Sequence, residues 1–300
     1  MKKFIGKVIL FLIVVATLDF CVGTILESMS ARAKGGNAAR AEYVFKQANE
    51  DIILMGSSRC IHHYNPFIIE DSLGMSTYNC GNDGMGIIYN YAIYTSMRER
   101  HLPKVIVYDI APSFDLYEGT PNDKYIHGIR QFSYYGKIID ICTDIDNNDK
   151  YKLYSKCYRL NSSYLHILRD FIHPRGLFEK GFKPSVGVMD YEIKDQVYNP
   201  EAFVTDSVKI KYWNKLFELC KQDGVSLIFS VSPTYSPYDH GCYDIIKNLA
   251  NKNGIPFIDN YDCDGITGQK QYFSDSTHMN EDGANEFSKR IVKYLSFLIK

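Results

Sequence analysis

Residues 51–66 read DIILMGSSRCIHHYNP, and the change of character at the middle of this stretch decides the fold. Ile52 to Met55 are four consecutive apolar residues, the length of a strand buried on both faces. Gly56, Ser57 and Ser58 end the run, and Arg59, His62 and His63 follow in a helix-like continuation. A strand that feeds a glycine turn and then a helix presents a serine hydroxyl at the carboxyl edge of a sheet. It also leaves the first N–H groups of the helix free to face an anion. A plainer reading makes Ser58 an N-cap, a role that serine favours. The stretch by itself leaves both readings open.

The same grammar recurs along the chain. Short apolar runs at 75–79, 104–110, 225–231 and 255–259 read as further strands. Helical patterns at 86–100, 201–222, 243–251 and 281–298 separate or follow them. Gly224 and Gly254 each stand between a helical pattern and a strand, where a helix C-cap belongs. Strands alternating with helices predict the α/β class, a three-layer α/β/α sandwich with a central parallel sheet of about five strands. Residues 113–200 break the pattern. They are rich in Tyr, Asp, Asn and Lys, patchily helical and without a convincing strand. An insertion after the third strand lies over the carboxyl edge of the sheet, so we read it as a cap over the site.

The chain has 300 residues, 45% of them hydrophobic, and a net charge of −1, which leaves no basic surplus to argue for nucleic acid. Lys2, Lys3 and Lys7 precede an apolar segment from Val8 to Leu26 that Asp19 alone interrupts. This reads as an export signal with its lysines inside, and its length suits an uncleaved membrane anchor. ARA at 31–33 is the alternative, a cleavage site. The expected organisation is a signal anchor at 1–26, a linker at 27–50 that becomes helical near the domain, and a folded domain at 51–300 outside the cytoplasm. Seven cysteines lie beyond the export segment, irregularly spaced and without a Cys/His metal pattern, and read mostly as buried free thiols.

Near the C-terminus, YFSDSTHMNEDG places Asp275 three residues before His278, just ahead of a helix that Asn280 starts. A carboxylate and an imidazole in one loop put Asp near His Nδ1 and leave Nε2 for a hydroxyl on a neighbouring strand end. The loop follows the fifth strand, on the same sheet edge as Gly56-Ser57-Ser58. Ser232, Thr234 and Tyr235 end the fourth strand at that edge and are candidate substrate contacts. Arg59 either orients an acidic group of the substrate or pairs with Asp109 or Asp115. His62 and His63 read as solvent-facing.

Taken together, these blocks resemble the SGNH/GDSL hydrolase superfamily. MGSSR matches the first block, YNCGNDGMG is similar to the second, and DSTHMNEDG matches the last. The resemblance implies Ser58 as nucleophile, with Ser57 where many members have Asp. It implies Asp275 and His278 as the other triad members, and Gly84 as an oxyanion N–H donor beside that of Ser58. The third block departs from the pattern: VYDIAPSFD has Pro112 and Ser113 where an oxyanion-hole Asn is expected, so Ser113 or Arg59 takes its place or the hole is poorer. The anchor and the GSS block resemble the exported acyl-transfer branches of the superfamily. The implied function is an envelope esterase or O-acyltransferase acting on an O-acylated cell-surface glycan, with envelope acyl-transfer partners and needing no metal or nucleotide cofactor. The competing expectation is a non-catalytic glycan-binding or surface-assembly protein that keeps the fold.

Overall fold

A computed structural model describes residues 1–174, 176, 178–192, 203–237 and 240–299. In chain order the helices and strands are α1 (Lys2–Ala31), α2 (Gly36–Lys46), β1 (Ile52–Gly56), α3 (Ser58–His63), α4 (Pro66–Leu73), β2 (Thr77–Asn79), α5 (Ile87–Met97) and β3 (Val105–Asp109). The insertion, the expected cap, follows as α6 (Pro112–Asp115), α7 (Lys124–His127), α8 (Ile138–Ile145), α9 (Asp149–Lys152), α10 (Lys156–Leu160) and α11 (Tyr164–Ile172). The remainder is α12 (Ser207–Asp223), β4 (Ser226–Val231), α13 (Asp244–Asn253), β5 (Phe257–Asp259) and α14 (Glu281–Leu298).

Five parallel strands form one sheet in the order β2-β1-β3-β4-β5. The three central strands, β1, β3 and β4, carry apolar residues on both faces because both faces are covered. Ile53 and Met55, Ile106 and Tyr108, and Phe229 join the core under α5 and α12. Ile52 and Leu54, Val105 and Val107, and Ile228 join the second core, under α3, α4 and α14. The order reverses beside β1, since β2 lies to one side and β3 to the other. That reversal opens a crevice at the carboxyl end of β1, the place where open α/β sheets bind ligands. The turn into Ser58 sits there.

Two features differ from the expectations. The stretch expected as a linker is mostly helix, since α1 runs to Ala31 and α2 follows almost at once. Val44, Phe45 and Ala48 are buried in the main core, so this part of the chain is packed rather than strung between domains. The cysteines, by contrast, match the expectation: all eight are free thiols, six of them buried. The expected helix at 201–222 begins at Ser207, where the Asp206 side chain accepts from the N–H groups of Val208 and Lys209. The insertion, expected at 113–200, carries short helices from α6 to α11; its residues 175, 177 and 193–200 lie outside the described residues.

Candidate active site

Gly56 sets the geometry. Its φ of +146° is one that L side chains rarely adopt, and a β-carbon there would lie 2.6 Å from the Asp109 carbonyl oxygen. The glycine lets β1 stop beside β3 and α3 begin at Ser58. Ser57 is the N-cap residue of α3, but its side chain makes no capping bond; it is buried and its Oγ has no hydrogen-bond partner. Ser58 does not act as a cap either. Its hydroxyl turns to the last loop, where His278 Nε2 lies 2.8 Å from Ser58 Oγ.

The Asp275–His278 loop is folded on itself. His278 Nδ1 lies 2.8 Å from Asp275 Oδ2, and Asp275 Oδ1 accepts the backbone N–H groups of Thr277 and His278, both at 2.8 Å. A carboxylate facing Nδ1 keeps the proton there and leaves the Nε2 lone pair toward the serine. Burial works to raise the Asp275 carboxyl, but these hydrogen bonds outweigh it and hold the group below the usual carboxylate range. Asn280 then caps α14 by accepting from Gly283 N–H at 3.0 Å.

Behind this chain stands a second one that the sequence reading missed. His63, read as solvent-facing, is fully buried. Its Nε2 accepts the Met279 N–H at 2.9 Å, and its Nδ1 lies 2.9 Å from Ser232 Oγ, which donates to Asp109 at 3.1 Å. Burial, with the neighbouring His278 and Arg59, pushes the His63 pKa well down, in keeping with a neutral ring that accepts at one nitrogen. His62 is also buried. Its Nε2 reaches Asp83 at 3.0 Å, its Nδ1 faces the Lys183 carbonyl oxygen at 2.6 Å, and its ring meets that of His278 edge-on at 5.4 Å. The missed signal was spacing: Ser58 and His62, like Arg59 and His63, are four apart and share a helix face.

Ser232 requires a correction. It is fully buried, bound to Asp109 and His63, and it lines no part of the cleft; the end of β4 turns it inward toward α3. Arg59 is buried too. Its guanidinium donates to the carbonyls of Ile110 and Ser232 and to Tyr243 Oη, with Asp109 at 3.8 Å, while one wall of the cleft is still formed by it. Of the two expected partners it faces Asp109; Asp115 instead accepts from Ala111 N–H and Tyr108 Oη, each at 2.7 Å. Thr234 lines the cleft, with a buried Oγ1 that has no partner.

The cleft has a volume of about 280 Å³, and Ser58, Ser113 and Phe114 are among the residues that line it. Ser113 is exposed and lies on α6. Gly84 follows β2 with φ +68°, a left-handed position, and the Lys124 ammonium stands 3.0 Å from where its β-carbon would be. Lys124 comes from the cap and packs on the Phe114 ring at 5.1 Å.

No family model and no curated protein matches the chain. Among solved structures the chain is similar to a proposed acylhydrolase from Bacteroides fragilis, with 13% identity and a TM-score of 0.42 over 88% of this chain and 98% of that one. It is similar also to an acetyl xylan esterase, with 11% identity and a TM-score of 0.40 over 83% and 99%. A third is a GDSL-like lipase from Bacteroides thetaiotaomicron, with 14% identity and a TM-score of 0.34 over 81% and 87%.

Proposed function

We propose that the protein is a serine esterase or O-acyltransferase working through Ser58, His278 and Asp275. One observation carries this reading: the unbroken chain Ser58 Oγ, His278 Nε2, His278 Nδ1 and Asp275 Oδ2, with 2.8 Å at both junctions. His278 takes the Ser58 proton as Oγ attacks the acyl carbon of an ester, and Asp275 holds the imidazole and its rising charge. The backbone N–H groups of Ser58 and Gly84 are the proposed oxyanion donors, with Ser113 or the neighbouring Lys124 in place of the expected Asn. Collapse breaks the ester C–O bond, and His278 returns its proton to the leaving alcohol. Water or a sugar hydroxyl then takes the acyl group from Ser58.

A cleft of about 280 Å³ suits a small acyl group such as acetyl. The anchor reading of α1, with its lysines inside, directs the site to an O-acylated glycan of the cell envelope. The test is an activated-serine probe together with acetyl release and transfer on envelope polysaccharide. Wild type should label and turn over, and Ser58→Ala should do neither. Absence of labelling under every condition favours the glycan-binding reading, which the missing Asn near Pro112 supports.

A further inference from the structure

We propose that the cap is seated in the lipid surface, with α11 lying in the headgroup layer beside the point where α1 leaves the bilayer. The proposal rests on reading α1 as a membrane anchor, and two independent observations carry it.

The first is a length. Helix α1 is 30 residues long, but Asp19, inside its apolar run, is already bound to the body. Its carboxylate accepts from Ser155 Oγ at 2.5 Å and from the N–H groups of Lys156 at 2.9 Å and Cys157 at 3.1 Å, so it caps α10. One turn on, Gly23 packs so closely that a β-carbon would lie 2.2 Å from Lys156 Cβ. Ahead of these contacts, and after the lysine pair at 2–3, lie Phe4 to Leu18, with Lys7 among them. At about 1.5 Å per residue they span about 22 Å, against a hydrocarbon core of about 30 Å. Tilting the helix widens the gap. The remaining depth falls at the level of the cap, so the cap has no stalk to hold it clear of lipid.

The second is the face that α11 turns outward. Tyr164, Leu165, Leu168, Phe171 and Ile172 form a stripe of helical spacing, and Leu165 and Ile172 are 65% and 61% exposed. A helix on an aqueous surface turns such a stripe inward. Here the inward side is Ile167, buried with Leu160 and Ala38 against Leu26 and Met29 of α1, and Asp170, which accepts from Ala38 N–H at 3.1 Å. Beside it Tyr134 and Tyr154 are 69% and 82% exposed, and with Leu12, Val15 and Phe20 they line a cleft of about 1280 Å³ along α1. Tyrosines around an emerging apolar helix are the composition of a membrane interface. The other side of α11 matters to the site. Ser162, Ser163 and His166 line a cleft of about 390 Å³ together with Asn82 and Asp83, and Asp83 bonds His62, whose ring meets that of His278 edge-on. The seating therefore places that cleft, linked to His278 through Asp83 and His62, beside the lipid surface, suited to a substrate held at the membrane.

The test uses the full chain reconstituted in phosphatidylcholine/phosphatidylglycerol vesicles. Cys21 and Cys157 are replaced by Ser, and a fluorophore is attached at Leu165→Cys, Ile172→Cys or, on the far layer, Tyr294→Cys. Nitroxide lipids should quench the labels at 165 and 172 at least threefold more than the label at 294, and aqueous iodide should show the reverse order. Labels at 165 and 172 open to iodide, in protein that carbonate washing leaves in the vesicles, would overturn the seating and spare the anchor. Shielding from both quenchers would mean a protein covers α11, and would overturn it too. Release by carbonate would instead defeat the anchor reading itself, and the seating with it.

Discussion

Ser57 and Ser58 are neighbours in sequence and differ in every physical respect that matters. The Ser57 hydroxyl is buried without a partner, and the Ser58 hydroxyl is 2.8 Å from an imidazole nitrogen. Ser58→Ala should abolish acyl-enzyme formation, whereas Ser57→Ala should leave the covalent step measurable. Mass spectrometry of the probe-treated protein reads both. Because Ser57 Oγ makes no bond, its removal should change stability by less than about 1 kcal/mol. A reversed result would move the nucleophile by one residue. Asp275→Asn is the complementary change. The amide offers N–H where His278 Nδ1 needs an acceptor, so the ring turns its proton toward Ser58. The rate of probe labelling should fall by about 10³–10⁴ with the fold unchanged. Labelling at the wild-type rate would remove Asp275 from the chain.

At the scale of elements, α3 does two things at once. Its first residue is Ser58 and its last is His63, which holds the backbone immediately after His278 through the Met279 N–H. The spacing of Ser58 and His278 is thus set by a helix of six residues clamped to the last loop. This clamp has a pH signature. His63 is kept neutral in the fold, its pKa driven well below the ordinary 6.5 chiefly by burial. Below about 6.5 the unfolded chain binds a proton that the native His63 does not, so the His63 contribution to stability is lost progressively as pH falls from that value toward the lower native pKa. His63→Gln keeps an acceptor for Met279 N–H and carries no titrating ring. Its denaturation midpoint should therefore fall less than that of wild type between pH 8 and pH 5. A parallel fall in both would show that His63 is not the titrating clamp.

The elements also show where the sequence was legible. The sheet was readable because both faces are covered, which makes the central strands largely apolar runs, and glycines mark the helix ends at 224 and 254. Asp275 and His278 were readable because their pairing is local, closed within four residues. Ser232, His62 and His63 were not, because their partners lie far along the chain: Ser232 finds Asp109, and His63 finds Met279. A histidine next to polar residues looks solvated until a distant strand end supplies its acceptor or donor. Residues 27–50 looked like a linker for a similar reason. The helix α2 is mostly polar and small, and only its contacts with the sheet's main core show Val44 and Phe45 to be buried.

At the scale of the whole molecule, the apolar N-terminal helix and the cap form one packed unit. Asp19 supplies the cap of α10, Lys156 reaches back to Glu27 at 2.6 Å, and Arg159 reaches the same carboxylate at 2.9 Å. The cap in turn brings Lys124 over Gly84 and onto the ring of Phe114, which lines the cleft with Ser58, so the position of α1 is linked through packing to that cleft. Two glycines of α1 allow this to be tested with an internal control. Gly6 has no atom within 4 Å of its would-be β-carbon, whereas at Gly23 that carbon would overlap the Lys156 side chain and backbone. Gly6→Leu should leave the domain unaffected, with thermal stability and probe labelling at wild-type values. Gly23→Leu should push α1 off α10, an overpacking that costs about 1–3 kcal/mol. The measurements are thermal unfolding in detergent and limited proteolysis within residues 146–172. The Gly23 variant should unfold several degrees lower and be cut there faster, and the Gly6 variant should match wild type in both. Equal behaviour of the two variants would mean that the cap stands free of the membrane helix.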